Sequence, residues 1–129
     1  MYAIGDEELL DYVIERDFED TVSRAILVAV EDMERIGKVK LTRLLRGLGI
    51  SEWRTREHVE KHYGRLRQLN SYQILDFEES LIRLGLLDVE LGHTLSLTTS
   101  GKRALGGREP IRAQIPWPFP VKPLPGRNE

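Results

Sequence analysis

At 129 residues, 40% hydrophobic and 31% charged, the chain holds enough apolar side chains for one modest core, and its composition excludes a disordered polymer. It has no cysteine, which excludes disulfides, thiolate nucleophiles and cysteine-based zinc sites together, and no apolar run approaches the roughly 20 residues that cross a bilayer. The net charge of −2 is laid out unevenly: residues 1–36 hold eleven acids and three bases (−8), residues 37–108 thirteen bases and eight acids (+5), and residues 109–129 three bases and two acids (+1).

Asp6 to Glu15 predicts a short acidic helix with Leu9, Leu10 and Val13 as its stripe, and Asp17 is placed to cap the next one. In that next helix Val22, Ile26, Ala29, Val30 and Met33 recur at helical spacing, with Ile36-Gly37 as the stop. Lys38-Val39-Lys40 reads as a stiff step into a short second helix whose face is Leu41, Leu44, Leu45 and Leu48, ended by Gly47 and Gly49. Ser51 is placed to cap a further turn or two through His62, with Gly64 as terminator.

The third helix is the clearest. Asn70 or Ser71 caps it, Ile74, Phe77, Leu81 and Leu84 form its buried face, Leu75 and Ile82 flank that face, and Gly85 closes it. The period then falls from 3.6 to 2. Leu87, Val89 and Leu91 alternate outward, Gly92-His93 turns, and Leu95 and Leu97 alternate back, a β-hairpin of about five residues per arm. Thr98-Thr99-Ser100 opens a last helical turn through Leu105, closed by Gly106-Gly107. All six prolines lie beyond Glu109 and enforce an extended, largely polyproline II path. Trp117 and Phe119 in this tail either fold back onto the domain or dock in a partner's groove, and Pro120 to Pro123 fits the PxxP pattern.

Helices followed by a hairpin predict a mostly helical α+β fold, a winged helix-turn-helix with a C-terminal β-hairpin wing. The expected segments are an acidic N-terminal helix (1–16), the winged-helix domain (17–108) and a Pro-rich extended tail (109–129). No catalytic or metal constellation stands out. His58 and His62 are spaced i, i+4 without an evident third ligand, adjacent carboxylates such as Glu78-Glu79 diverge on a helix, and no nucleophile elbow is present. No cofactor and no enzyme activity are expected. Between Lys38 and Arg67 nine bases face only Glu52, Glu57 and Glu60, a segment suited either to a polyanion or to pairing with the acidic first third.

Four stretches carry a family resemblance: Leu44-Leu45-Arg46-Gly47; Tyr63-Gly64 followed by Arg65 and Arg67; Leu81-Ile82-Arg83-Leu84-Gly85-Leu86; and Leu95-Ser96-Leu97-Thr98-Thr99-Ser100-Gly101-Lys102. In order and spacing these resemble the RQC domain of RecQ-type DNA helicases, over roughly Phe18 to Gly107. The family has a second glycine and then an acid soon after Tyr-Gly, where this chain has Leu66 and Gln68.

The resemblance implies a winged helix that grips the end or branch of duplex DNA beside a helicase motor, in cis or in trans. Its expected compartment is the cytoplasm, or the nucleus in a eukaryote, with no membrane partner. Read against the residues, phosphate contacts are expected from Lys40, Arg43, Arg46, Arg65, Arg67, Ser71 and Tyr72, and beyond the wing from Thr99, Ser100, Lys102 and Arg103. His93 and Thr94 stand at the wing tip, where His93 can stack on an end base pair. Asp76, Glu78 and Glu79 would meet phosphates if the third helix entered the major groove, so only its first turn suits an anion. Two other readings stand beside this one: a winged helix whose basic face meets an acidic protein, and a dimeric transcription regulator joined through the N-terminal helix or the tail.

Overall fold

The first helix shows where local signals lose to propagation. Asp17 was expected to begin a new helix, but in the computed structural model α1 runs unbroken from Ala3 to Met33. Between Asp6 and Ile36 there is no glycine or proline to interrupt the chain, and extending a helix costs less than nucleating a second one. The structure describes residues 3–49 and 58–117, with side chains from Phe18 onward. Ser51, Arg54, Arg56 and the tail from Pro118, including Phe119 and the PxxP segment, lie outside the described residues. In α1, Phe18, Val22, Ala25, Ile26, Ala29, Val30 and Met33 form a buried stripe at helical spacing.

Ile36-Gly37 does more than stop α1. Glu34 and Arg35 turn the chain with φ of 28° and 59°, and Ile36–Gly37 then forms β1. Helix α2 follows at once as Lys38–Arg46, so Lys38-Val39-Lys40 is its first turn and not a connector. Leu41, Leu44 and Leu45 are buried as expected, whereas Leu48 falls beyond the helix end and is exposed. A single turn, α3 (Val59–His62), precedes the long α4 (Ser71–Arg83). Asn70 caps α4 in a reciprocal box: its side chain accepts from the Gln73 N–H, and the Gln73 side chain accepts from the Asn70 N–H.

The wing consists of β2 (Leu87–Val89) and β3 (Thr94–Leu97). β3 is central in a three-stranded antiparallel sheet of order β1-β3-β2, with Leu95 opposite both Ile36 and Val89. The expected alternation buries only the root: Leu87, Leu95 and Ile36 are in the core, while Val89 is exposed and Leu91 is fully exposed, because the ribbon projects past the helices. Thr98 then caps α5 (Thr99–Gly106), accepting from the Gly101 N–H. A Cβ at Gly101 would stand 2.1 Å from the Leu86 carbonyl oxygen, so only glycine lets α5 meet the end of α4 this closely.

The tail returns to the core as far as Trp117. Ile111 and Ala113 are buried, the Ile111 N–H donates to Asp20 (2.7 Å) and the Gln114 N–H to Glu19 (2.6 Å). The Trp117 indole packs edge-on to Phe77, which packs edge-on to Phe18, joining the tail, α4 and α1 through one row of rings. Of the two alternatives for Trp117, the structure has the fold-back. The order α1-β1-α2-α3-α4-β2-β3-α5 with this sheet is a winged helix.

Candidate nucleic-acid interface

Two of the motif stretches meet in the turn between α2 and α4. The Gly64 N–H donates to the Leu44 carbonyl (2.9 Å) and the Leu66 N–H to the Leu45 carbonyl (2.8 Å). Gly47 (φ +79°) approaches Gly64 (φ +73°) so closely that a Cβ on Gly47 would lie 3.1 Å from the Gly64 Cα. That contact sets the end of α2 beside the start of α4. There the Arg46 guanidinium donates to the Leu69 carbonyl (3.1 Å) and the Ser71 hydroxyl (3.4 Å), held between the two helices by the backbone it braces.

The start of α4 is open to an anion. Asn70 satisfies the Gln73 amide, and among the described residues nothing accepts from the amides of Ser71 and Tyr72. No acid lies in the first turn, and Tyr72 is 79% exposed. Arg65 and Arg67 are exposed on the segment leading in, with the Arg67 guanidinium donating to the Gly64 carbonyl (3.3 Å). Among the described residues neither they nor Lys40 nor Arg46 is in an ion pair with a carboxylate. Lys40 is exposed on the first turn of α2, immediately after Gly37, the register partner of Thr94; Arg43 is half-buried farther along α2. His93, exposed with φ +64°, closes the wing turn through its backbone N–H, which donates to the Glu90 carbonyl (2.9 Å).

The residues after the wing lie elsewhere. The Thr98 N–H donates to the Leu86 carbonyl and its hydroxyl to the Gly85 carbonyl, placing Thr99, Ser100, Lys102 and Arg103 at the far end of α4. Thirteen residues at about 1.5 Å each separate that end from Ser71 by roughly 20 Å. The predicted set therefore divides into two groups, one at each end of the helix.

The three α4 carboxylates, expected to face outward, are each engaged within the protein. Asp76 accepts from the Trp117 indole N–H (3.0 Å), Glu79 pairs with Lys38, and Glu78 is fully buried against Thr42. Glu78 was missed as a core residue although Ile74, Phe77, Glu78 and Leu81 have the i, i+3, i+4, i+7 spacing of a buried stripe. Burial pushes its carboxyl up to about 8; the Thr42 hydroxyl and nearby Lys38 pull the other way, and Glu79 adds to the rise.

His58 and His62 do not act as a pair. His58 (φ +68°) precedes α3, while His62 is fully buried and its Nε2–H donates to Asp32 (2.8 Å), holding that carboxyl below its ordinary range. Among the described residues no group of three or more His, Asp or Glu side chains is arranged to hold a metal ion.

A comparison with curated proteins finds no match. The sequence matches the RQC domain family over residues 13–119, nearly the whole described fold and all four motif stretches. The chain therefore belongs to the RQC domain family, the non-catalytic, DNA-binding winged helix of RecQ helicases.

Proposed function

We propose that this domain holds the phosphates of a duplex end or fork at the start of α4 and sets its wing tip against the last base pair, as an accessory to a RecQ-like helicase motor in cis or in trans. The observation that carries this reading is the first turn of α4: two amides without an acceptor, no acid, Arg46 braced alongside, and Arg65 and Arg67 exposed next to it. A phosphate there gains both from the helix dipole and from charge-assisted hydrogen bonds.

The remainder of α4 is ill suited to reading bases. Its outward line is Tyr72, Asp76, Glu79 and Arg83, and the two carboxylates are already bonded to Trp117 and Lys38. Accepting from a cytosine amino group would break a contact inside the protein. Selection is therefore for DNA structure over sequence. At the wing, the exposed Leu91 and the flat His93 ring suit the open face of a terminal pair. With three residues in β2 the ribbon is short, and capping an end is its proposed role. Lys40, Arg43 and Thr94 flank this face, whereas the α5 group stands apart from it.

Fluorescence anisotropy with forked, blunt and hairpin-closed duplexes of one sequence, titrated against salt, tests this. Forked and blunt DNA should bind more tightly than closed DNA, with a log–log salt slope of about −3 for three arginine–phosphate contacts. The double variant Arg65→Glu, Arg67→Glu should weaken all three substrates about equally, while His93→Ala should affect only those with ends. Salt-insensitive binding, or preference for one palindromic sequence, would overturn the proposal.

A further inference from the structure

The strap after α5, residues 108–117, ends against the outward line of α4. Its start is fixed by one side chain of α1: the Arg24 guanidinium donates to the carbonyls of Leu105 (2.9 Å), Gly107 (3.1 Å) and Glu109 (3.0 Å). Asp20 and the buried Glu19, also on α1, accept from the amides of Ile111 and Gln114. Gln114 has φ of 58°, an uncommon state for a residue with a side chain, and the Glu19 contact holds it there. Past this turn the chain reaches α4.

There Trp117 makes two contacts of different kinds. Its ring packs edge-on to Phe77 with centroids 5.7 Å apart, and its indole N–H donates to Asp76 (3.0 Å). Packing on Phe77 needs only a ring. The donor is specific to tryptophan, and among the described residues no cation is in an ion pair with Asp76. Glu79, one turn on, is held by the charge of Lys38 whether or not the strap is seated. Asp76 relies on a neutral donor from the end of the strap.

Asp76 follows Tyr72 by one turn, and five residues separate it from Ser71, roughly 7–8 Å along the helix. That is within about one Debye length at physiological salt, so the direction of this carboxylate affects a phosphate at the first turn. We infer that Trp117 is a positioning residue for nucleic-acid binding: its indole N–H holds the Asp76 carboxylate against the strap and off the phosphate path. This role rests on the reading of the start of α4 as the phosphate site and adds a control to it. Whatever lifts residues 108–117 lowers DNA affinity while leaving every proposed phosphate contact in place.

The test measures forked-duplex binding by fluorescence anisotropy at low and high salt, with thermal unfolding, for the full chain and three variants: Trp117→Phe, Asp76→Asn and the two combined. Trp117→Phe keeps a ring on Phe77 and should weaken binding about threefold at low salt, and less at high salt. Asp76→Asn should tighten binding. Adding Trp117→Phe to Asp76→Asn should change affinity by less than about 1.5-fold, because no charge is left to position. Equal weakening in both backgrounds would make Trp117 merely structural, whatever it does to the unfolding curve. That result, no weakening by Trp117→Phe, or no gain from Asp76→Asn would each overturn the inference while the phosphate site stands. A parent that fails to bind, or binding that survives Arg65→Glu with Arg67→Glu, would bring down the phosphate site and this role with it.

Discussion

Replacing Glu78 with Gln should remove most of the domain's loss of stability between mildly acidic and mildly basic pH. The Thr42 hydroxyl lies 3.0 Å from Glu78 Oε2 and 2.9 Å from the Lys38 carbonyl, and its one proton serves only one of them. Both contacts are satisfied when a protonated Glu78 donates to Thr42 and Thr42 donates to Lys38, which is the state burial favours by raising the carboxyl to about 8. Below the ordinary value of 4.5 the folded and unfolded chains both hold this proton. As pH rises, the unfolded chain releases it first, so folding stability falls by about 1.4 kcal/mol per pH unit until the folded group also ionises. Over the window from 4.5 to about 8 the loss is about 5 kcal/mol, a large share of a small domain's stability. Gln is neutral throughout, and its amide can donate to Thr42. Urea unfolding of both proteins from pH 4 to pH 9 should give nearly equal stabilities at the acid end and a variant about 4 kcal/mol ahead near pH 7.5. Parallel curves across the window, or a variant less stable at pH 8, would refute the argument that Glu78 is buried neutral.

Gly101→Ala should cost about 1–3 kcal/mol by urea denaturation, since the new methyl meets a backbone carbonyl that no rotamer can move aside. Trp117→Ala should cost about 2–3 kcal/mol, and deletion of residues 109–129 at least as much, with near-UV circular dichroism reporting the loss of packing on Phe77. Asp32→Asn should weaken the fold most near neutral pH. Because the folded carboxyl sits below its ordinary 3.8, the His62–Asp32 contribution is present above that pH and is lost as acid protonates Asp32, so variant and parent should converge on acid titration.

Much of the fold was legible wherever a local rule and the tertiary packing agree. An Asn70 cap, the Ile74-Phe77-Leu81 stripe, the turn at Gly92-His93 and a helix opening at Thr98-Thr99-Ser100 all appear where composition and period put them. β1 was invisible because two residues carry no period, and its partner on β3 lies far along the chain. Glu78 had the spacing of a core residue, but its charge argued it outward; the compensating Thr42 belongs to another helix and is seen only in space. Leu84 and Leu91 fit their periods yet are exposed, because period gives the face of an element and not how far the neighbouring layer extends. The division of the predicted cations was also hidden in topology. An antiparallel ribbon brings the chain back to where it left α4, so residues after the wing adjoin Gly85 and Leu86 and not the start of the helix.

The stretches that mark this chain as an RQC domain turn out to be places where backbones touch. Leu44 and Leu45 offer carbonyls to Gly64 and Leu66, Gly47 faces Gly64, Thr98 bonds Gly85, and Gly101 lies against Leu86. At the departure after Tyr63-Gly64, Leu66 is buried and its amide donates to the Leu45 carbonyl, so the turn is held by a backbone contact here too. These contacts fix α2 against α4 and the wing root against the end of α4, whatever the domain binds. Apart from Arg46, the side chains free to meet a ligand (Tyr72, Leu91 and His93) have no part in those backbone contacts. Substitutions therefore fall into two classes with separate readouts. Those at the touching backbones lower stability and binding together, whereas those at the exposed side chains change binding with the unfolding curve intact.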